Sequence, residues 1–236
     1  MKYAVKKEYL DDNPCDHADR PKQEHYRASF YSEADVRELL AAAKGSTINI
    51  PVMLAAFYGL RRSEALGVRW SNIDFRAKTI SILHKVVETN IGGKYQPQGF
   101  DRMKNISSNR MLPLITEVET ELLKQQERQK HYSKALGLAY DNSFNDYVCT
   151  DEIGKLLSPN YLSRTFGKLL KQNGLRHIRY HDLRHTCASL LLKNGIPMKA
   201  IQEWLGNSTF EVTLRVYVHS SIEQKAACMN RLSSLI

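Results

Sequence analysis

No stretch of the 236-residue sequence holds the roughly 18 consecutive apolar residues that a membrane span requires, and the opening MKYAVKKEYLDDNP lacks the apolar segment of a secretory leader. A soluble, cytoplasmic protein is therefore expected. Cysteine is scarce: Cys15, Cys149, Cys187 and Cys228 stand far apart with no Cys-x-x-Cys pair, so neither a zinc knuckle nor a disulfide framework is encoded. They read as reduced, mostly packing residues. A Walker-type phosphate loop is missing, which removes P-loop nucleotide chemistry, and neither internal repeats nor low-complexity tracts occur. Acid is also in deficit. Against 34 Lys and Arg stand 25 Asp and Glu, a formal net charge of +9, and this balance favours a polyanionic partner such as nucleic acid or an anionic membrane surface. Hydrophobic residues make up 42% of the chain, enough for the core of one large domain or two small ones.

The pattern along the chain is mostly helical. Residues 1–30, with DDNPCDHADRPKQEHYR, are polar, contain two prolines and show no apolar period, which is the composition of a linker. Ser32 and Asp35 then form a capping box before a helix with Val36, Leu39, Leu40 and Ala43 on one face. TINIPVMLAAFYG is apolar almost all round, so it predicts a buried central helix closed by Gly59. From Trp70 onward, WSNIDFRAKTISILHKVVET alternates like a hairpin; a polar loop with Gly92, Gly93 and Gly99 should lead to a third strand within DRMKNISSNRMLPL. Helices resume with TEVETELLKQQERQKH and with a segment opened by Ser158-Pro159, carrying Leu162, Phe166, Leu169 and Leu170 inward and closed by Asn173-Gly174. The expected fold class is α+β: a mostly α-helical domain with a small three-stranded antiparallel β-sheet.

YHDLRHTCASLLLKNG, residues 180–195, concentrates cationic and titratable groups on one helical turn. Asp182 reads as the cap of a helix whose buried stripe is Leu183, Cys187, Leu190 and Leu191, while His181, Arg184 and His185 share a neighbouring face at i, i+3 and i+4. Three uses are open: a metal site, a solvated helix end, or a cradle for an anion. A metal on His177, His181 and His185 is disfavoured because HIRYHD alternates like an extended segment, an arginine would repel the ion, and no carboxylate or Cys pair is in reach. Three other features read as ordinary when taken singly. Arg61 in YGLRRSEALGVRW, with Glu64 three residues on, is a surface or ion-pair residue; Lys104 is an exposed lysine beside a strand; and Tyr217 is a packing tyrosine at the end of a short helix opened by Ser208 and Glu211.

Together GLRRSE, HDLRH and LGNSTFEVTLRVY, in that order and at that spacing, make the chain resemble the tyrosine recombinase (phage integrase) family, of the phage or conjugative-transposon type, over residues 30 to 225. The resemblance implies the DNA breaking-and-rejoining fold and an enzyme that cleaves and rejoins double-stranded DNA through a 3′-phosphotyrosine, for integration or excision of a mobile element. It needs no cofactor, metal or ATP, since the phosphotyrosine conserves the bond energy. By the same resemblance Arg61 and Arg184 meet the phosphate, His181 is the base, Lys104 the general acid and Tyr217 the nucleophile, with His185 and Glu64 in support. Planar guanidinium forks suit a phosphodiester that gains negative charge in its transition state, and a tyrosine with a pKa near 10 needs a base or a cationic field before it attacks. Two positions depart from the family pattern. Asn207 follows Leu-Gly where His or Trp is usual and can donate to phosphate but not take up a proton, and Ile106 stands where a second lysine is common. The implied organisation is a linker at 1–30 from an upstream DNA-binding domain, a catalytic domain at 31–217, and a tail helix at 218–236 exchanged between protomers of a tetramer on DNA. Two alternatives stay open: a type IB topoisomerase, disfavoured by the LGxS to Tyr spacing, and a DNA-binding module with a decayed site, motivated by Asn207.

Overall fold

The computed structural model describes residues 1–19, 30–101 and 109–206. Helix α1 (Lys2–Lys6), within the stretch expected to be linker, is one turn with no buried side chain, and Tyr3 and Tyr9 stand exposed among the described residues. Helix α2 (Glu33–Ala43) starts where the capping box places it: the Asp35 amide donates to Ser32 Oγ at 3.2 Å and the Ser32 amide to Asp35 Oδ2 at 2.7 Å. Val36, Leu39 and Ala43 are buried, with Leu40 at the margin.

Helix α3 (Asn49–Tyr58) is buried along nearly its whole length, as an all-round apolar helix must be. It ends at Gly59, whose φ of 61° only glycine adopts without strain, and the Gly59 and Leu60 amides bond back to the Ala55 and Leu54 carbonyls. The chain turns at once into the short helix α4 (Arg62–Leu66). Around α3 pack α2, α4, helix α5 (Thr116–Leu136) and helix α7 (Asp182–Lys193). Helix α6 (Pro159–Gln172) contacts α2 and α4; Ser158 caps it by accepting from the Tyr161 amide, Pro159 takes the first turn where no amide is needed, and Leu162, Phe166, Leu169 and Leu170 are buried. Helix α8 (Met198–Leu205) docks on α7 through a separate small cluster of Cys187, Ala188, Ile201 and Leu205.

The expected three-stranded antiparallel sheet is present. Strands β1 (Ile73–Asp74) and β2 (Thr79–Ile82) form a hairpin, and β5 (Arg110–Pro113) pairs with β2 so that Ile80 stands opposite both Ile73 and Leu112. The polar loop expected around Gly92 and Gly93 is corrected: β3 (Lys85–Ile91) and β4 (Lys94–Phe100) form a second, two-stranded ribbon with Gly92-Gly93 as its turn. The ribbon escaped the alternation rule because, past Val86, most of its side chains are partly or fully exposed, so no buried face marks it. Its base is fixed at Gly67, where α4 meets β3; a Cβ there would lie 2.5 Å from Lys85 Cα and 2.6 Å from the His84 carbonyl carbon. Since the obstacle is backbone, Gly67→Ala is expected to destabilise the fold by about 1–3 kcal/mol, the usual range for overpacking. Chemical denaturation of the variant would show it, and an unchanged midpoint would mean that the α4 to β3 junction yields.

Candidate functional site

Three of the elements begin at one place. Arg61 is the residue before α4, Arg110 the first of β5, His181 the residue before α7, and Arg184 lies in the first turn of α7. Glu64, on α4, is the buried carboxylate among them. Its Oε1 accepts from Arg61 Nη1 at 2.6 Å, and its Oε2 accepts from the Arg61 amide at 3.1 Å and from Arg110 Nη2 at 3.1 Å. Burial would push this carboxyl up, but Arg110, Arg61 and Arg184 outweigh it and hold it below the ordinary value. Glu64 is therefore ionised at neutral pH.

Arg184 is buried and holds two chain segments. Nη1 donates to the Gly59 carbonyl at 2.6 Å, a contact across 125 residues of sequence, and Nη2 donates to the Leu205 carbonyl at 2.7 Å. Both acceptors sit at helix C-termini, of α3 and of α8, where carbonyls lack intrahelical partners and the helix dipole is negative. Burial and the neighbouring Arg61 lower the guanidinium's pKa to about 9, which leaves it charged at neutral pH.

Asp182 does not cap α7 as the sequence reading expected. His181 occupies the cap position without a side-chain bond, and the fully buried Asp182 carboxylate turns back to accept from the Arg179 amide at 2.8 Å and from Arg179 Nη2 at 3.0 Å. The buried stripe of α7 is also shorter than expected: Leu183 and Cys187 are buried, while Leu190 and Leu191 are half-exposed. Residues 175–179 have no regular structure and 180–181 turn into α7, with Ile178 and Tyr180 buried and His177, Arg179 and His181 exposed, so His177 and His181 do not share a helical face. Among the described residues no group of three or more His, Cys, Asp or Glu could hold a metal. His181 and His185 lie edge to face, with ring centroids 5.3 Å apart, and Phe30 backs His185 at 6.3 Å.

His181 has an open face to solvent, yet desolvation on its packed side, reinforced by His185, Arg184 and Arg61, lowers its pKa to about 4. It is a neutral proton acceptor at neutral pH. Of the residues singled out by sequence, the fold thus brings together Arg61, Glu64, His181, Arg184 and His185; Lys104, Asn207 and Tyr217, the Ser208 and Glu211 cap and the tail at 218–236 lie outside the described residues. Arg110 was not singled out. A signal for it existed, because Arg110 and Leu112 alternate onto one face of β5, and a charge on the face of a buried leucine implies a buried counter-ion.

A helical domain with a small antiparallel sheet and a convergent cluster of arginines about one carboxylate defines a class, and comparison identifies it. The profile of the phage integrase family matches residues 29–224, and the chain belongs to that family. It is 28% identical over 244 residues to a tyrosine recombinase XerC-like protein of Caldanaerobacter subterraneus subsp. tengcongensis, covering 99% of this chain and 62% of that protein. To the ICEBs1 integrase of Bacillus subtilis it is 24% identical over 238 residues, covering 99% and 62%. The chain thus spans about three fifths of the length of these relatives. Among solved structures it is similar to the Tn1549 transposon integrase in complex with a circular intermediate DNA, with TM-score 0.76 and 20% identity over 98% of this chain and 75% of that one. A lambda integrase tetramer bound to a Holliday junction also matches, with TM-score 0.58 and 17% identity over 91% and 55%. No helix of the described residues is long and apolar enough to cross a membrane.

The depressed His181 pKa makes a prediction about stability. An imidazole in the unfolded chain takes its proton near pH 6.5, whereas in the folded protein this happens only near pH 4, so between these values the unfolded state binds more protons. The stability tied to His181 is thus fully present above about pH 6.5 and is lost as the pH falls towards 4. An NMR titration should place the His181 midpoint well below that of an ordinary histidine, and His181→Gln should flatten the fall in stability over this window. A midpoint at 6 or above would contradict the cluster's electrostatics.

Proposed function

We propose that this chain is the catalytic domain, over residues 31–217, of a cytoplasmic site-specific DNA recombinase that acts on double-stranded DNA through a 3′-phosphotyrosine, for integration or excision of a mobile element. The observation that carries the reading is the meeting of Arg61 and Arg184, from sequence blocks far apart, around Glu64 beside a neutral His181. Surplus positive charge next to a deprotonated base is what attack on a phosphodiester requires.

In the proposed reaction the Tyr217 Oη attacks the scissile phosphorus while its proton passes to His181, a bond forms from phosphorus to Oη, and the bond to the 5′ oxygen breaks. That oxygen leaves as a hydroxyl with a proton from Lys104. Arg61 and Arg184 meet the charge gained at the nonbridging oxygens, and Asn207 adds a neutral donor where His or Trp is usual in the family. A bound phosphodiester places negative charge near His181 and raises its basicity, so the base strengthens when substrate is present. Rejoining reverses each step, so neither ATP nor metal is part of the proposal. The tail at 218–236, with Ile222, Ala226, Met229 and Leu232 spaced along one helical face, is proposed to dock on a neighbouring protomer in a tetramer on DNA.

The test uses the full-length protein and a duplex selected by it from a random pool, nicked near the cleavage point so that the covalent product accumulates. A 3′-phosphotyrosine adduct at Tyr217 is expected, and none from Tyr217→Phe. Relaxation of supercoiled DNA without a defined site would favour a topoisomerase instead, and the absence of any adduct would favour a decayed module.

The general acid is tested separately. Lys104→Ala should cripple cleavage of ordinary DNA but spare a duplex whose 5′ leaving oxygen is replaced by sulfur, because a thiolate departs without a proton. Equal losses on both substrates would move that role to another residue.

A further inference from the structure

Arg110 opens β5 and is closed off from any substrate, with its side chain only 6% exposed. Its guanidinium reaches Glu64 Oε2 at 3.1 Å, while Arg61 Nη1 holds Oε1 at 2.6 Å. The three side chains form a row with Glu64 in the middle: Arg110 and Glu64 are nearly closed to solvent, at 6% and 2% exposed, and Arg61, at 36%, is the member that reaches it. Arg110 exerts the largest through-space attraction on Glu64, and Arg61 adds a direct hydrogen bond to its own. The order matters for the charge that reaches solvent. A carboxylate compensated by Arg61 alone would leave a neutral pair facing an anion, whereas Arg110 behind it leaves the row with one net positive charge, carried by its outermost member.

We propose that Arg110 is a positioning residue: by neutralising and fixing Glu64 from behind, it keeps Arg61 net cationic and aimed outward for the scissile phosphate. This rests on the recombinase reading of the site. Arg110 touches neither DNA nor the reacting atoms; it acts through Glu64 on Arg61.

A buried ion pair that merely held the fold together would also be sensitive to mutation, so the test uses rescue. Single-turnover adduct formation by the full-length protein on the nicked duplex, at saturating protein, is compared with melting curves for each variant. Arg110→Gln keeps a donor to Glu64 but removes the charge, and is expected to slow the reaction by about 2- to 150-fold, the span of couplings between residues in contact. Adding Glu64→Gln removes the carboxylate charge that Arg110 offsets, so the double variant should react faster than Arg110→Gln alone. A structural role predicts the opposite, losses that compound. Arg110→Lys keeps the charge with a single donor and should stay closer to the unaltered rate than Arg110→Gln does. If Arg110→Gln does not fold, the same comparison is made with Arg110→Lys, whose loss should shrink in the Glu64→Gln background. An unslowed Arg110→Gln, or a double variant slower than both singles, overturns the proposal while leaving the recombinase reading in place. If the unaltered protein forms no adduct, both fall together.

Discussion

The buried carboxylate of Glu64 is the point on which the cationic site depends. Moving a guanidinium out of water costs several kcal/mol even after relaxation, and here Arg110 and Arg184 are both buried within reach of the same charge. At an effective dielectric near 20, one charge pair at 4 Å recovers roughly 4 kcal/mol, so a single well-placed anion offsets much of that cost for its neighbours. Without Glu64, two buried cations and a third at the surface would repel one another across a low-dielectric core. With it, they coexist and the cluster keeps an excess of positive charge.

That excess is placed by backbone as much as by side chains. Arg184 is held by two carbonyls at the C-terminal ends of α3 and α8, groups that each helix leaves without partners in its last turn. One side chain thereby fixes the junction ahead of Arg61 and the end of the helix that delivers the chain to Asn207. Close approach is part of this device. At Gly59 a Cβ would lie 2.4 Å from Leu205 Cδ2 and 3.4 Å from Cys187 Sγ, so the left-handed glycine that ends α3 also makes room for α8.

Much of the helical layout follows from local rules. Ser32 with Asp35, Ser158 with Pro159 and Gly59 each satisfy particular amides or carbonyls, and such chemistry is written in adjacent residues. The β3–β4 ribbon was not legible because its faces are too exposed to alternate, and Asp182 misled because its carboxylate bonds backward to Arg179 rather than forward into α7. Arg61, His181, Arg184 and Glu64 could be picked out from family spacing, but what they do to one another could not. The low pKa of His181 and the pairing of Glu64 with Arg110 arise from contacts between segments separated by strands and helices, and no local pattern encodes them.

The site lies where elements end. Arg61 and His181 precede helices and Arg110 begins a strand, while the Gly59 and Leu205 carbonyls close helices. Element ends are the places where backbone groups still need partners and where short turns can bring distant segments close. The core behind them, from Leu39 and Leu54 to Phe166 and Leu183, is apolar and continuous. Most of the packing is therefore carried by atoms other than the charged ones, with Arg184 tying the two together. This division lets the arginine cluster hold a net positive charge without dismantling the fold, and it explains why the charged residues buried among the described residues, Glu64, Asp182 and Arg184, each arrive with partners already in place.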